Sequence, residues 1–518
     1  MHQALGGLRR ISPSHPNAPG VRGTTRVRAA SSQNPHLKDN HGKGFADVSL
    51  HKRHETVPHA HSSSGAGRQL LHWLQENGAQ LQGVELKSIE PPALYGTTAS
   101  NGAASHSHPH NRPIDMAVAS RPLQPGDLAL SIPSHLVITL DRVFESEFVA
   151  ELMVTDKLSE LACLTLYLMY EKKLREDSFW QPYIKELDRQ RARGTQAVES
   201  PILWAEEELE ELLTGSPLLA TVRQRLAGIE HEYKELDTVW YMACSLFNRY
   251  PFDLPTETFS FERFKQAFAA VQASIVHLQG VPPSRRFALV PLGPPLLSYS
   301  STSKALFTYN EASKCVELRV DQSYSPGDPV SAWCGPQPNT RLLLNYGLVD
   351  ENNPYDKLQV SVILASTDPL YQLKRSLLQA VNLSTSQPFD LQRNKKLAPL
   401  LLPYMRLAAA SSPEEVQQVV LSEAAPPVAG DACEALLLAH LTEYFNARLA
   451  GYKHTMAEDM DIMISPRSSP RQKVAARLTK IEKGILTSCL EQLQQLAAQS
   501  QVPLPTQLQG TLPHVKLV

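Results

Sequence analysis

The feature that most constrains this chain is a change of texture that happens twice. Short β-like runs at residues 127–132 and 136–139, punctuated by Pro125-Gly126 and Pro133, give way to roughly a hundred residues dominated by helical pattern. Between residues 287 and 350 β-like runs return, at 315–320 and 330–333, separated by Ser325-Pro326-Gly327-Asp328 and Gly335-Pro336-Gln337-Pro338. A hydrophobic run at 358–364 closes this region, and from about Tyr371 the pattern is helical. The chain therefore reads as α+β: a β-rich domain interrupted by an inserted helical stretch, with an all-helical domain behind it.

Individual segments sharpen that outline. A helix is expected near Gln69 (Leu70, Leu71, Trp73, Leu74), followed by a strand at 84–86. Residues 95–113 are rich in Gly, Ser and His and read as a surface loop. There His106, His108 and His110 alternate, which leaves a metal site and a plain polar loop as the two readings. In residues 156–173, Leu158, Leu161, Thr165 and Leu168 recur three and four apart, which predicts one helical stripe against a core. A second helix carries Val474, Leu478, Ile481, Ile485, Cys489, Leu493 and Leu496 in the same rhythm. Its cations Arg471, Lys473, Arg477, Lys480 and Lys483 suit either the solvated face of an amphipathic helix or an acidic or nucleic-acid partner.

At 518 residues the chain is too long for one core and calls for two or three domains. The expected divisions are 1–60, an address segment; 61–365, the β-rich domain with its helical insert at about 175–285; 366–500, the helical domain; and 501–518, a tail. A formal net charge of −2 gives no overall pull toward nucleic acid. No window holds the roughly 18 apolar residues that crossing a bilayer needs, so no membrane is expected. The six cysteines are scattered without a CxxC pair and read as reduced thiols, and no structural metal is expected. Residues 1–38 contain no Asp or Glu, while Arg9, Arg10, Arg22, Arg26, Arg28 and Lys38 are interleaved with small residues and Pro. That is the make-up of an organelle transit peptide, and Val27-Arg28-Ala29-Ala30 resembles a stromal processing site, so the expected location is the chloroplast stroma or nucleoid. A disordered tail with no address is the alternative.

The order of elements, with Trp180-Gln181-Pro182-Tyr183-Ile184, Trp204-Ala205-Glu206-Glu207-Glu208-Leu209 and NTRLLLNYG at 339–347, resembles the Rubisco large-subunit methyltransferase-like branch of SET-domain proteins. The resemblance implies a SET domain with inserted helices followed by a substrate-binding domain, protein-lysine N-methyltransferase chemistry and S-adenosyl-L-methionine as methyl donor. Longer segments, among them PYIKELDRQRARG, RRFALVPLGPPLLSYSS and DPVSAWCGPQPNTRLLLNYGLVDENNPYDK, are similar to a narrower group in that branch, the SET-domain proteins of the plastid transcriptionally active chromosome. That likeness implies the plastid-encoded RNA polymerase and its associated proteins as partners.

Methyl transfer from a sulfonium to an amine requires a fixed donor, a desolvated acceptor and in-line register. In active relatives a terminal Tyr borders the transfer channel, an Asn-His pair grips the donor, and an Arg on the preceding helix meets its carboxylate. Here Tyr346 falls on the terminal Tyr, as the catalytic candidate. The Asn-His pair is replaced by Leu297-Ser298 or Ser298-Tyr299, so Leu297, Ser298, Tyr299 and Tyr346 are the candidate donor-binding residues. The Arg position falls near Ala273-Ser274-Ile275, Cys334 stands where a second family Tyr does, and Gly96 and Gly102 offer no convincing glycine signature. A charge-assisted hydrogen bond contributes about 1.5–3 kcal/mol, so loss of the Arg alone implies donor binding weakened roughly ten- to a hundredfold.

Overall fold

In the computed structural model, residues 65–89, 114–145, 158–191, 198–247, 260–294, 296–422, 432–499, 512 and 514–518 are described. The address segment, the His-rich loop with His106, His108 and His110, and Gly96 and Gly102 lie outside them.

The β-rich domain is a set of small sheets. Four strands pair antiparallel in the order Gln80–Leu81, Leu128–Pro133, Cys315–Arg319 and Phe307–Asn310. Val84–Ile89 pairs with Ile114–Ala119, Ile275–His277 with Phe287–Leu289, and Ser298–Ser300 runs parallel to Ser331–Trp333. The apolar run of Leu128–Pro133 is buried on both faces, which is why it does not alternate. Residues 136–139, expected as a strand, instead enter through the 3-10 turn Ser134–Leu136, and only Ile138 bridges, to Leu289. Pro133 ends the preceding strand and cannot donate to a continuing ladder.

The helices share one hydrophobic core with these sheets. Glu160–Leu174 starts at Ser159, whose side chain accepts from the Ala162 amide, and it is buried at every position from Leu161 to Met169. The single-stripe expectation is thus too narrow: helices Leu140–Glu145, Gln181–Arg191 and Phe261–Ser274 pack around it. Helix Asn339–Tyr346 stops at Gly347, which takes φ 70° and returns its amide to the Leu343 carbonyl. A Cβ there would overlap the Val198 carbonyl, so both conformation and space demand glycine.

Helices Tyr371–Ala380, Leu401–Ala409, Pro413–Gln418, Ala432–Ala450, Met456–Ile464 and Pro470–Gln499 build the second domain. It is not purely helical. Ser386–Gln392, expected as helix, is a strand that pairs with Lys357–Leu364, its apolar Phe389 and Leu391 facing inward with period two. Val515–Leu517, expected as tail, pairs with the other edge of Lys357–Leu364.

Pro470–Gln499 lies between the domains, packed against helix Glu206–Leu213 of the first and against Ala432–Ala450 and Met456–Ile464 of the second. The solvated-face reading fails for three of its five cations, which are consumed internally. Arg471 meets Glu199 at 2.7 Å and Glu208 at 2.5 Å, Arg477 meets Glu351 at 3.3 Å, and Lys483 meets Asp459 at 2.6 Å. On the same helix Glu482 is buried, accepting from Ser216 Oγ at 2.9 Å and from the Tyr452 hydroxyl at 3.0 Å. Among the described residues no helix is long and apolar enough to cross a membrane, and no group of His, Cys, Asp or Glu is placed to hold a metal.

Candidate functional site

Two segments distant in sequence meet at the parallel pair Ser298–Ser300 and Ser331–Trp333. The Ser298 amide donates to the Val330 carbonyl at 3.1 Å and the Trp333 amide to the Ala305 carbonyl at 2.9 Å. Gly335, at φ 82°, then turns the chain into helix Asn339–Tyr346. That helix is anchored through Asn339, whose Nδ2 donates to Asp356 Oδ2 at 2.6 Å and whose Oδ1 accepts from the Asp350 amide at 3.0 Å. Its last residue is thereby brought back against the strand.

The result is a stacked pair of phenols. The rings of Tyr299 and Tyr346 lie 4.2 Å apart between centroids, tilted by 41°. The Tyr299 hydroxyl donates to the Ile275 carbonyl at 2.9 Å, so its side chain reaches across to the end of helix Phe261–Ser274. Gln337 Nε2 donates to the Cys334 carbonyl at 2.5 Å and to the Tyr346 hydroxyl at 3.4 Å, while Asn345 Nδ2 donates to Gln337 Oε1 at 3.1 Å. Sequence reasoning missed Gln337, although it stands in the turn Gly335-Pro336-Gln337-Pro338 that drew notice only as punctuation.

Burial keeps this cluster neutral. It pushes the Tyr346 phenol up to about 12 and the Cys334 thiol up to about 11, and it raises Tyr299 well above the ordinary phenol value. Cys334 is therefore a small buried thiol whose Sγ donates to the Ser300 carbonyl at 3.4 Å.

The sequence-predicted residues separate into two sets. Tyr299 and Tyr346 come together at the centre, and half-buried Ser298 sits on the adjoining strand. Leu297 is 1 % exposed and belongs to the hydrophobic core, where it can present nothing to a ligand. Ser298 and Tyr299 both lie on strand Ser298–Ser300.

The groups that an S-adenosyl donor needs are only partly present. Its carboxylate and ammonium call for charge-assisted contacts. The Ile275 carbonyl is already taken by Tyr299. Arg225, from helix Pro217–Phe247, is the cation that reaches helix Phe261–Ser274, and it donates to Gln272 Oε1 at 2.8 Å. Gln272 in turn donates to the Leu344 carbonyl at 2.9 Å, so this cation braces the Tyr346 helix. In contrast, Asn345 Oδ1, Trp333 Nε1 and the Tyr183 hydroxyl are buried without hydrogen-bond partners. The Asn345 amide cannot flip to cure this, because Gln337 is fixed by its bond to the Cys334 carbonyl. The centre is thus lined with unsatisfied neutral polar atoms, but the positions read as donor grips carry no matching charge.

Residues 365–486 match the family described as Rubisco LSMT substrate-binding. The chain is 23 % identical over 446 residues to the actin-histidine N-methyltransferases of Mus musculus and Homo sapiens, a match that covers 82 % of this chain and 67 % of each relative. Among solved structures, the SET domain of LSMT bound to methyl-lysine and AdoHcy aligns with a TM-score of 0.65 at 22 % identity, covering 85 % of this chain and 94 % of that one. Rubisco LSMT bound to AdoMet aligns with a TM-score of 0.64 at the same identity, with the same coverage of both chains. These likenesses show the fold: a SET domain followed by a substrate-binding domain of the Rubisco LSMT type.

Proposed function

We propose that this LSMT-like SET-domain protein serves as an accessory component of the plastid-encoded RNA polymerase in the chloroplast, supporting plastid transcription through its surfaces, with a methyl-donor site that is at most residual. The observation that carries the reading is Tyr299. Its phenol lies against Tyr346 and is tied to the Ile275 carbonyl, at the two places where relatives of the resemblance would grip the donor. The resemblance of several segments to plastid transcription proteins supports the choice of partner, and the acid-free start supports the compartment. A SET fold alone does not grant activity.

The test is calorimetric titration of S-adenosyl-L-methionine into the protein from about residue 60 onward. No heat at millimolar donor is the expected result, with the protein co-purifying with polymerase from plastids. Binding tighter than about 100 μM, some 5.5 kcal/mol, overturns it.

A second reading is favoured by the orphaned polar atoms around Tyr346: a working S-adenosyl-L-methionine-dependent protein N-methyltransferase of the stroma, acting on a lysine or, as the names of its relatives suggest, a histidine. Transfer of labelled methyl to stromal proteins, abolished by Tyr346→Phe, would establish it.

A further inference from the structure

The junction of the two domains contains a crevice of about 130 Å³ whose walls come from both, among them Glu211 and Thr214 on one side and Tyr452, Asp459, Thr479 and Lys483 on the other. It adjoins a shallower hollow lined by Glu206, Glu207, Glu210 and Glu211, and Glu211, Thr214 and Lys453 line both. We infer that this crevice is a binding site for a basic side chain, a lysine or arginine presented by a partner protein.

Three observations point to a cation. At the inner end, Asp459 is 1 % exposed and its two oxygens are unlike. Oδ2 takes Lys483 at 2.6 Å and the Thr479 hydroxyl at 2.9 Å, while Oδ1 has no hydrogen-bond partner. An unsatisfied carboxylate oxygen needs a donor. Lys483 does not invite an anion: besides Asp459 it donates to the His454 carbonyl at 2.5 Å, and its ammonium lies 5.3 Å from the Tyr452 ring centroid. At the outer end the hollow sets four carboxylates against two cations, Arg223 paired with Glu206 and Glu210, and Lys453 paired with Glu211. Glu207 is exposed there. The vestibule therefore keeps an excess of negative charge that draws a cation inward. At the neck, the Lys453–Glu211 pair is half exposed, so Lys453 is an internal competitor that an incoming ammonium displaces.

The volume admits a side chain rather than a folded surface, which makes the site a socket for one anchor residue of a larger contact. The assignment is independent of the methyl-donor site, and its failure would leave the reading of that site untouched.

The test titrates Nα-acetyl-lysine amide into the intact protein, followed by NMR or calorimetry, with the Nε-acetylated compound as the uncharged control. Binding of the charged probe alone is expected, weakened at least threefold between about 50 and 300 mM salt. Lys453→Met should tighten it severalfold by removing the competitor, and Glu207→Lys, at an exposed rim position that leaves the fold intact, should weaken it severalfold. Asp459→Asn should abolish it, with thermal unfolding checking that the variant remains folded. Equal binding of charged and uncharged probes, indifference to both rim variants, or no binding to wild type and to Lys453→Met overturns the assignment.

Discussion

The centre of the SET domain and the helical domain behind it handle buried polarity in opposite ways. Around Tyr299 and Tyr346 the side chains that face one another are neutral: two phenols, the Cys334 thiol, and the amides of Gln337 and Asn345. In the second domain ions are buried outright. Lys374 and Asp368 pair at 2.5 Å with 0 % and 1 % exposure, Arg406 grips both oxygens of Glu434 at 2.8 Å, and Lys483 meets Asp459. Charge has thus been retained where helices hold one another. It is missing at the positions read as methyl-donor grips. Buried ions cost desolvation, and they persist only where partners and geometry recover it.

The contrast breaks most visibly at Lys374. Lys374→Met leaves Asp368 buried without its counter-ion and should lower stability by about 3–5 kcal/mol in denaturant unfolding, whereas the paired replacement Lys374→Met with Asp368→Leu should recover most of that loss. If the single substitution costs under about 1 kcal/mol, the ion pairs are not what holds this domain.

A smaller effect is expected at Glu482, where burial pushes the carboxyl up to about 8. The groups around it are Ser216, Tyr452, Asp356 and Arg448. A carboxyl whose proton is held more tightly folded than unfolded stabilises the fold below its ordinary value near 4.5, and that contribution is lost as pH rises toward 8. Wild-type stability should therefore fall across this window, with a slope approaching about 1.4 kcal/mol per pH unit. Glu482→Gln should remove the slope and be the more stable protein at pH 8.5. Thermal unfolding of both from pH 5 to 8.5 measures it, and parallel curves would refute the assignment.

The smallest effect belongs to the neutral centre. Tyr299→Phe removes one hydroxyl bond to the Ile275 carbonyl and should cost about 1 kcal/mol with no pH dependence between 5 and 8. A larger loss would mean that the phenol holds more of the SET domain than this single bond.

Much of this architecture is legible in the sequence because period and punctuation are local. The runs at 358–364 and 127–132 fall in strands Lys357–Leu364 and Leu128–Pro133, whereas helix Asn339–Tyr346 lies in a stretch that reads as β-like. The failures are tertiary. Nothing in the rhythm of Arg471, Arg477 and Lys483 tells a wet face from one met by Glu199, Glu351 and Asp459, which lie far away in sequence. Ser386–Gln392 pairs only because Lys357–Leu364 offers it an edge. At the candidate site the motif positions were readable, but Leu297 lies in the core just before strand Ser298–Ser300, whereas Tyr299 sits within it opposite Ala332, a pairing set by a segment distant in sequence. Gln337 stood in a turn read only as punctuation, and Arg225 stood outside any motif.

The strand Val515–Leu517 completes its sheet across a very long stretch of sequence, Val362 opposite Leu517. In a chain made from its N-terminus, one edge of Lys357–Leu364 stays bare until residues beyond 510 have left the ribosome, whereas Ser386–Gln392 can pair with the other edge early. A half-covered strand with Val360 and Val362 at its centre is an adhesive intermediate. Newly made protein should therefore need a chaperone for as long as that edge waits, and shortening the chain before residue 515 should send it to aggregates rather than merely lower its melting point.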